Sequence, residues 1–206
     1  MTTPRFFYFD LGNVLVTFTV ERMLRQVHAL CGVGEDRLRD VIFREGLQQD
    51  YETGRIDGRQ FHERFCAASG TQPDADALRH AASDIFELNT PIVPIVTSLA
   101  LSRRPLGILS NTGEAHWEHC RSKYRLLDDL FDHRILSYEV GAMKPDRRIF
   151  EQAVELAGCD PEEIFYTDDL PGHIEGARAV GLDAVPFTTA AELAAQLRQR
   201  GVRLHV

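Results

Sequence analysis

The sequence predicts an α/β protein: a parallel sheet with helices on both faces, plus an all-helical lobe inserted after the first strand. Three observations carry this. Short, unbroken apolar runs recur along the chain and stop at polar residues. Helical patterns separate most of them, the signature of strand–helix–strand units. One long stretch, 19–88, carries helical patterns and no convincing strand. The chain of 206 residues suits one core with a smaller insert better than two equal halves, at roughly 150 residues per domain. The expected partition is a core from 1–18 and 89–206 and a helical domain from 19–88.

The first strand is Phe6-Phe7-Tyr8-Phe9, which ends abruptly at Asp10. An unbroken apolar run this short reads as a strand buried on both faces. In the insert, candidate helices run near 21–31, 36–49, 58–69 and 74–88, punctuated by Gly32, Gly34, Gly54, Gly58, Gly70 and Pro73. Pro91 and Pro94 mark the return to the core. Strand-like runs follow at 106–109, more weakly near 134–136, then at 164–166 and 184–187. Between them, Ile149, Phe150, Ala153, Val154, Leu156 and Ala157 share one helical stripe, with Pro145 at a plausible first turn and Gly158 at the end. Ile174, Ala177 and Val180 repeat every three residues up to Gly181, and Leu193, Ala194 and Leu197 mark a last helix.

Composition excludes several classes. Hydrophobic residues make up 44% and charged residues 26%, ordinary for a globular protein and unlike a disordered or fibrous chain. No apolar run approaches the roughly 18 residues of a membrane helix, and no period suggests a solenoid. Acidic residues outnumber basic ones, 31 to 23, for a net charge of −8. A general nucleic-acid or anionic-membrane surface is therefore not expected, although a local pocket can still take a small anion. The four cysteines, Cys31, Cys66, Cys120 and Cys159, form no CxxC pair and read as reduced structural thiols. Arg5 is too thin a charged region, and Asp10 too early an interruption, for a targeting peptide. The expectation is a cytoplasmic protein, monomer or homodimer, with neither nucleic acid nor membrane as partner.

In open parallel sheets, ligands bind at the carboxyl ends of the strands. The first strand delivers Asp10 there. The run at 106–109 delivers Ser110 and Asn111, and the run at 164–166 delivers Thr167, Asp168 and Asp169. Lys144 precedes Pro145 in a loop that leads into a helix. Taken singly, each is more simply a turn former, a helix cap or a solvated lysine. Together they bring a carboxylate, a hydroxyl, a lysine and an acidic pair to one sheet edge.

This ordered set resembles the haloacid dehalogenase-like hydrolase superfamily. The matching segments are FFYFDLGNVLV at 6–16, GILSNTG at 107–113, GAMKPDRRIF at 141–150 and FYTDDLPGHIEGARAVGL at 165–182. They stand in the family's order, and the first motif is especially similar to a bacterial subgroup of glucose-1-phosphate phosphatase-like proteins. The resemblance implies a Rossmann-like three-layer core and a helical C1-type cap over 19–88. It implies a Mg²⁺-dependent phosphatase acting on a small phosphorylated metabolite such as a sugar phosphate. In such an enzyme Asp10 attacks phosphorus to give an aspartyl phosphate, covalent catalysis by a carboxylate. Asp10, the carbonyl of Gly12 and Asp169 would hold Mg²⁺, with Asp168 holding a metal-bound water or the lysine. Ser110 and the Asn111 N–H would bind phosphate oxygens, and Lys144 would neutralise both Asp10 and the phosphate.

Two departures matter. Family phosphatases usually carry a second Asp two residues after the nucleophile, as acid and then base. Here that residue is Gly12. General acid–base help is typically worth about 10²–10⁴ in rate, or roughly 3–5 kcal/mol of barrier. The reaction can do without it if the leaving group is a good one, such as an anomeric phosphate, or if solvent supplies the proton. The second departure is His173, one helical turn past Asp169, which is either a solvated residue or a substitute acid–base group. In the insert, Tyr51 to Ile56 form a Gly-centred turn, from which Arg55 either meets an anionic substrate group or stays solvated. His116, His119 and Cys120 have helical spacing that could hold a metal, but no second ligand cluster supports it. Two other readings compete with the phosphatase: a metal-independent haloacid dehalogenase, and a non-catalytic binding or regulatory protein on a decayed hydrolase core.

Overall fold

The aromatic run forms β1 (Phe6–Phe9), with all four side chains buried. The other strands are β2 (Val16–Thr17), β3 (Glu87–Leu88), β4 (Leu106–Ser110), β5 (His133–Leu136), β6 (Ile164–Asp168) and β7 (Asp183–Pro186). The computed structural model describes residues 3–205. Residues 1, 2 and 206, which the expected core range includes, lie outside the described residues. No described helix is long and apolar enough to cross a membrane.

Five strands make one parallel sheet in the order β5-β4-β1-β6-β7. β1 therefore lies in the middle, pairing through Phe7 with Leu106 on one side and Phe165 on the other. The Asp10 N–H donates to the Thr167 carbonyl at 3.0 Å, so sheet bonding runs right up to that aspartate. Successive side chains of a strand point to opposite faces, and the core divides accordingly. Phe7 and Phe9 belong to one apolar cluster, and Phe6 and Tyr8 to another.

The helices fill both faces. In chain order they are α1 (Val20–Cys31), α2 (Glu35–Arg39), α3 (Leu47–Glu52), α4 (Gly58–Ser69), α5 (Ala75–Ser83) and α6 (Val93–Leu101). Then come α7 (Glu114–Lys123), α8 (Leu126–Leu130), α9 (Ser137–Val140), α10 (Arg147–Ala157), α11 (Pro171–Ala179) and α12 (Ala190–Gln199). α6, α7, α8 and α12 pack on the Phe7 face through Leu99, Trp117, Leu127 and Leu197. α10 and α11 pack on the Tyr8 face through Phe150 and Ile174. The Tyr8 hydroxyl crosses that layer and donates to the Ala153 carbonyl at 3.0 Å, which satisfies it inside the core. This is the expected three-layer α/β core.

The inserted helices join the Phe7-side cluster through Leu24, Leu38, Phe65 and Leu78. Full burial of a side chain like that of Phe65 contributes about 1.5–3 kcal/mol, so the insert is anchored by apolar packing. Its detail departs from the expected pattern in three places. The helix expected over 36–49 is α2, a π-helical turn over Asp40–Arg44, and α3. Gly46, at φ +81°, separates them in a conformation that L side chains rarely adopt. The helix expected over 74–88 ends at Ser83, because Asp84 leaves the helical region at ψ 53°. Ile85 and Phe86 then turn into the core, and Glu87 and Leu88 pair antiparallel with Thr17 and Val16. This ribbon at the root of the insert is two residues long on each side, too short to show a period in sequence. In the core, Pro145 precedes α10 rather than opening it; the Asp146 side chain caps the helix by accepting from the Arg148 N–H at 2.9 Å.

Candidate active site

The carboxyl ends of β1, β4 and β6 meet at the centre of the sheet edge, and the loop before α10 lies against them. Asp10 leaves β1 buried, its Oδ1 accepting the Leu11 N–H at 2.7 Å. Lys144 has no exposed side-chain surface. Its ammonium lies 3.0 Å from Asp10 Oδ1 and 2.6 Å from Asp168 Oδ2. It also donates to the Leu109 carbonyl at 2.9 Å and to the Tyr166 hydroxyl at 3.0 Å. A buried ammonium is tolerable because each donor finds an acceptor and two carboxylates balance its charge.

Asp168 is the hub behind this pair. Its carboxylate takes hydrogen bonds from Lys144, from the Tyr166 hydroxyl, from the Leu170 N–H at 2.9 Å and from His173 Nδ1 at 3.0 Å. Burial pushes its pKa up, but the bond from His173 and the charge and bond of Lys144 outweigh burial and hold it well below the ordinary carboxylate value. Asp10 goes the other way. Burial is the largest cause, Asp168 adds to it, and Lys144 and Ser110 only partly offset it, so the Asp10 carboxyl is pushed up to about 6.

The loops are fixed by their own polar residues. Asn111 Nδ2 donates to the Lys144 carbonyl at 2.9 Å, and Asn111 Oδ1 accepts the Lys144 N–H at 2.7 Å. This double bond from the β4 loop holds the backbone that carries the lysine. Ser137 Oγ accepts the Thr112 N–H at 2.9 Å and donates to the Thr112 carbonyl at 3.1 Å. Asp169 is half-buried, and its Oδ2 accepts from Asn13 Nδ2 at 3.0 Å, tying the β6 loop to the β1 loop. Among the described residues, one trio of potential metal ligands has its atoms within 4.8 Å of one another: Asp10, Asp168 and His173.

A cavity of about 490 Å³ opens between these loops and the helical insert. Gly12, Ser110 and Asn111 lie on its core side, and Phe43, Gln48 and Glu52 on its insert side. Its volume falls within the usual range of small-molecule sites. Among the described residues, no lysine or arginine lines it.

Sequence reasoning placed Asp10, Gly12, Ser110, Asn111, Lys144, Asp168 and Asp169 at one edge, and the structure brings them together. It does not bring Arg55. That side chain is exposed and pairs with Asp50 at 3.0 Å, because the turn ending α3 directs residue 52 inward and residue 55 outward. His173 is beside the site but does not line the cavity; its Nδ1 is engaged by Asp168. His116, His119 and Cys120 do not converge on a shared centre. His116 Nε2 meets the Ala82 carbonyl at 3.2 Å and burial lowers its pKa to about 4, His119 turns toward Asp84, and Cys120 is buried in the core. Sequence reasoning missed Glu52, Tyr166 and Asn13. Tyr166 looked like a plain strand residue; only its position two before Asp168, on the same face, hinted at contact.

The family model described as haloacid dehalogenase-like hydrolase matches residues 5–181. D-ribitol-5-phosphate phosphatase of Bacteroides thetaiotaomicron is 23% identical over 181 residues, covering 85% of this chain and 87% of that protein. Pyrimidine 5'-nucleotidase YjjG of Escherichia coli is 30% identical over 160 residues, covering 73% of this chain and 70% of that protein. A HAD family enzyme of Bacteroides thetaiotaomicron, solved in complex with magnesium and inorganic phosphate, superposes with a TM-score of 0.81 at 24% identity, covering 90% of this chain and 95% of that one.

Proposed function

This chain belongs to the haloacid dehalogenase-like hydrolases, and from that membership we propose that it is a Mg²⁺-dependent phosphatase of a small phosphorylated metabolite, working through an aspartyl phosphate on Asp10. The observation that carries the reading is the Lys144 ammonium set between Asp10 and Asp168, at 3.0 and 2.6 Å, with the chain neighbours Leu11 and Met143 lining the cavity. Phosphoryl transfer is mostly positioning and charge neutralisation, and this is a fixed cation beside a buried nucleophile. The proteins named above support it, since two are phosphate-ester hydrolases by name and one holds magnesium and phosphate.

The donor chemistry fits Mg²⁺, which wants hard oxygens. Asp10, the Gly12 carbonyl and Asp169 are the groups assigned to it. Asp168 already accepts bonds at both oxygens from Lys144, Tyr166, His173 and Leu170, so its part is to hold the lysine. When bound, the ion supplies a second positive charge for the phosphoryl oxygens. Asp10 needs that help, because burial raises its pKa and works against the anionic nucleophile. The Ser110 hydroxyl and the Asn111 N–H take phosphate oxygens, and Lys144 neutralises both Asp10 and the phosphate. The helical insert over 19–88 acts as the cap that closes the cavity and excludes water.

The lining also narrows the substrate. With no lysine or arginine lining it among the described residues, the cavity wall offers no cation to a second anionic group. The favoured substrates are phosphate esters of uncharged polyols, such as glucose 1-phosphate and other sugar phosphates, rather than phosphorylated carboxylic acids. The test is Mg²⁺-dependent phosphate release across such a panel, with Asp10→Asn as the control. Activity restricted to sugar and polyol phosphates supports the reading. Dehalogenation of a 2-haloacid that survives a chelator would replace it, and turnover equal in Asp10→Asn would remove it.

A further inference from the structure

Residue 12 has no side chain, and the structure shows what stands in that space. A Cβ on Gly12 would lie 2.9 Å from Phe18 Cε1. The ring of Phe18 thus covers the direction from which a carboxylate at residue 12 would reach a leaving group. The proton must come from elsewhere. His173 is turned to Asp168 and does not line the cavity. His116 lines it but is directed at the Ala82 carbonyl. Among the described residues one carboxylic acid lines the cavity, and it belongs to the cap.

We propose that Glu52, at the end of α3, donates the proton to the departing alcohol and then activates the water that releases phosphate from Asp10. This rests on the phosphatase reading above. Glu52 lines the cavity together with Gly12, Ser110 and Asn111. Its Oε1 accepts from Gln48 Nε2 at 2.6 Å, one helical turn back, which fixes the carboxyl.

The backbone on either side of Glu52 is clamped to the core. Before it, the Tyr51 hydroxyl accepts the Ala115 N–H at 2.9 Å. The Tyr51 ring lies where a Cβ on Gly113 would come within 2.5 Å of it, so that core residue has to be glycine. After it, Gly54 at φ +68° passes so close to the Tyr138 carbonyl that a Cβ would stand 2.2 Å away. Two close approaches flanking one carboxylic acid set its position over the site.

The charge argument agrees. An ionised carboxylate at the roof would repel a phosphate dianion. Burial, and secondarily the charge of Asp10, push the Glu52 pKa up, against the bond from Gln48. A shift in that direction suits a general acid. In the first step the Asp10 oxygen–phosphorus bond forms, the ester oxygen–phosphorus bond breaks, and the Glu52 proton goes to the ester oxygen. In the second step Glu52 takes a proton from water as the water oxygen attacks phosphorus and Asp10 leaves as a carboxylate. The sum is ester plus water to alcohol plus phosphate, with Glu52 protonated again.

Two aryl esters of similar size test this: phenyl phosphate, whose leaving group needs a proton, and 2,4-dinitrophenyl phosphate, whose leaving group does not. Rapid mixing reads the first step as the burst of phenol. The expected result for Glu52→Gln is a burst rate about 10²–10⁴ lower with phenyl phosphate and less than about tenfold lower with the dinitrophenyl ester, where proton donation contributes little. Equal loss with both esters would assign Glu52 to binding or folding and overturn the proposal, as would no loss with either. No Mg²⁺-dependent release of phenol or phosphate by the wild-type protein would instead remove the phosphatase reading, and the proposal with it.

Discussion

The ammonium of Lys144 lies 3.0 Å from Asp10 Oδ1, and none of the lysine side chain is exposed. Asp168 shares that ammonium at 2.6 Å, so one cation serves two buried carboxylates. Removing it leaves both without their charge partner. Breaking a buried ion pair from one side typically costs about 3–5 kcal/mol. Lys144→Met should lose stability of about that size in urea unfolding. Lys144→Arg should not restore it, because a planar fork cannot meet the two carboxylates, the Leu109 carbonyl and the Tyr166 hydroxyl from one point. A loss below about 1 kcal/mol, the value of an exposed pair, would mean the cluster is hydrated rather than buried.

Asp10 ties function to a stability cost. Its folded pKa, about 6, lies above the ordinary carboxyl value of 3.8. The folded chain therefore holds this proton more tightly than the unfolded chain does. Between roughly pH 4 and 6 this group makes stability fall as pH rises, by about 3 kcal/mol in full. Asp10→Asn removes the titration. Without divalent ions the variant should be more stable than wild type at pH 8 by up to about 3 kcal/mol, and the gap should close toward pH 4. Mg²⁺ should narrow the gap at pH 8 by stabilising wild type alone. Equilibrium unfolding of both proteins at the two pH values checks the sign.

Gly12 and Phe18 share one space, since a Cβ at Gly12 would stand 2.9 Å from the ring. Overfilling a packed site typically costs about 1–3 kcal/mol. Gly12→Ala should cost that much in the wild-type background and distinctly less beside Phe18→Leu. A double-mutant cycle in urea measures the coupling. Strictly additive effects would show that the ring yields freely.

The sheet was legible because buried parallel strands are apolar throughout and end at polar residues. The run before Asp10 needed no further context, and Ser110, Asp168 and Asp169 followed from where such strands must end, while Lys144 rested on its loop before Pro145 and on the family resemblance of the motif around it. Less of the insert was legible. Gly46 and Asp84 break helices that periodicity alone runs together, and the ribbon of Val16–Thr17 with Glu87–Leu88 is shorter than any pattern. In the site, the sequence left the cap turn open, with Arg55 either meeting an anion or solvated. The turn exposes it to pair with Asp50 and brings Glu52 to the cavity instead. Which residue of a turn faces inward depends on backbone angles that one sequence does not display.

The phosphoryl group on Asp10 is the point on which the chemistry turns. Incubation with a turned-over phosphate ester and Mg²⁺, acid quench, and borohydride reduction would convert an aspartyl phosphate to homoserine, which peptide mass spectrometry locates. The expected result is homoserine at residue 10, absent when the ester is omitted and absent in Asp10→Asn. Phosphate release with residue 10 unmodified under the same quench, or homoserine at Asp168 or Asp169 instead, would contradict it.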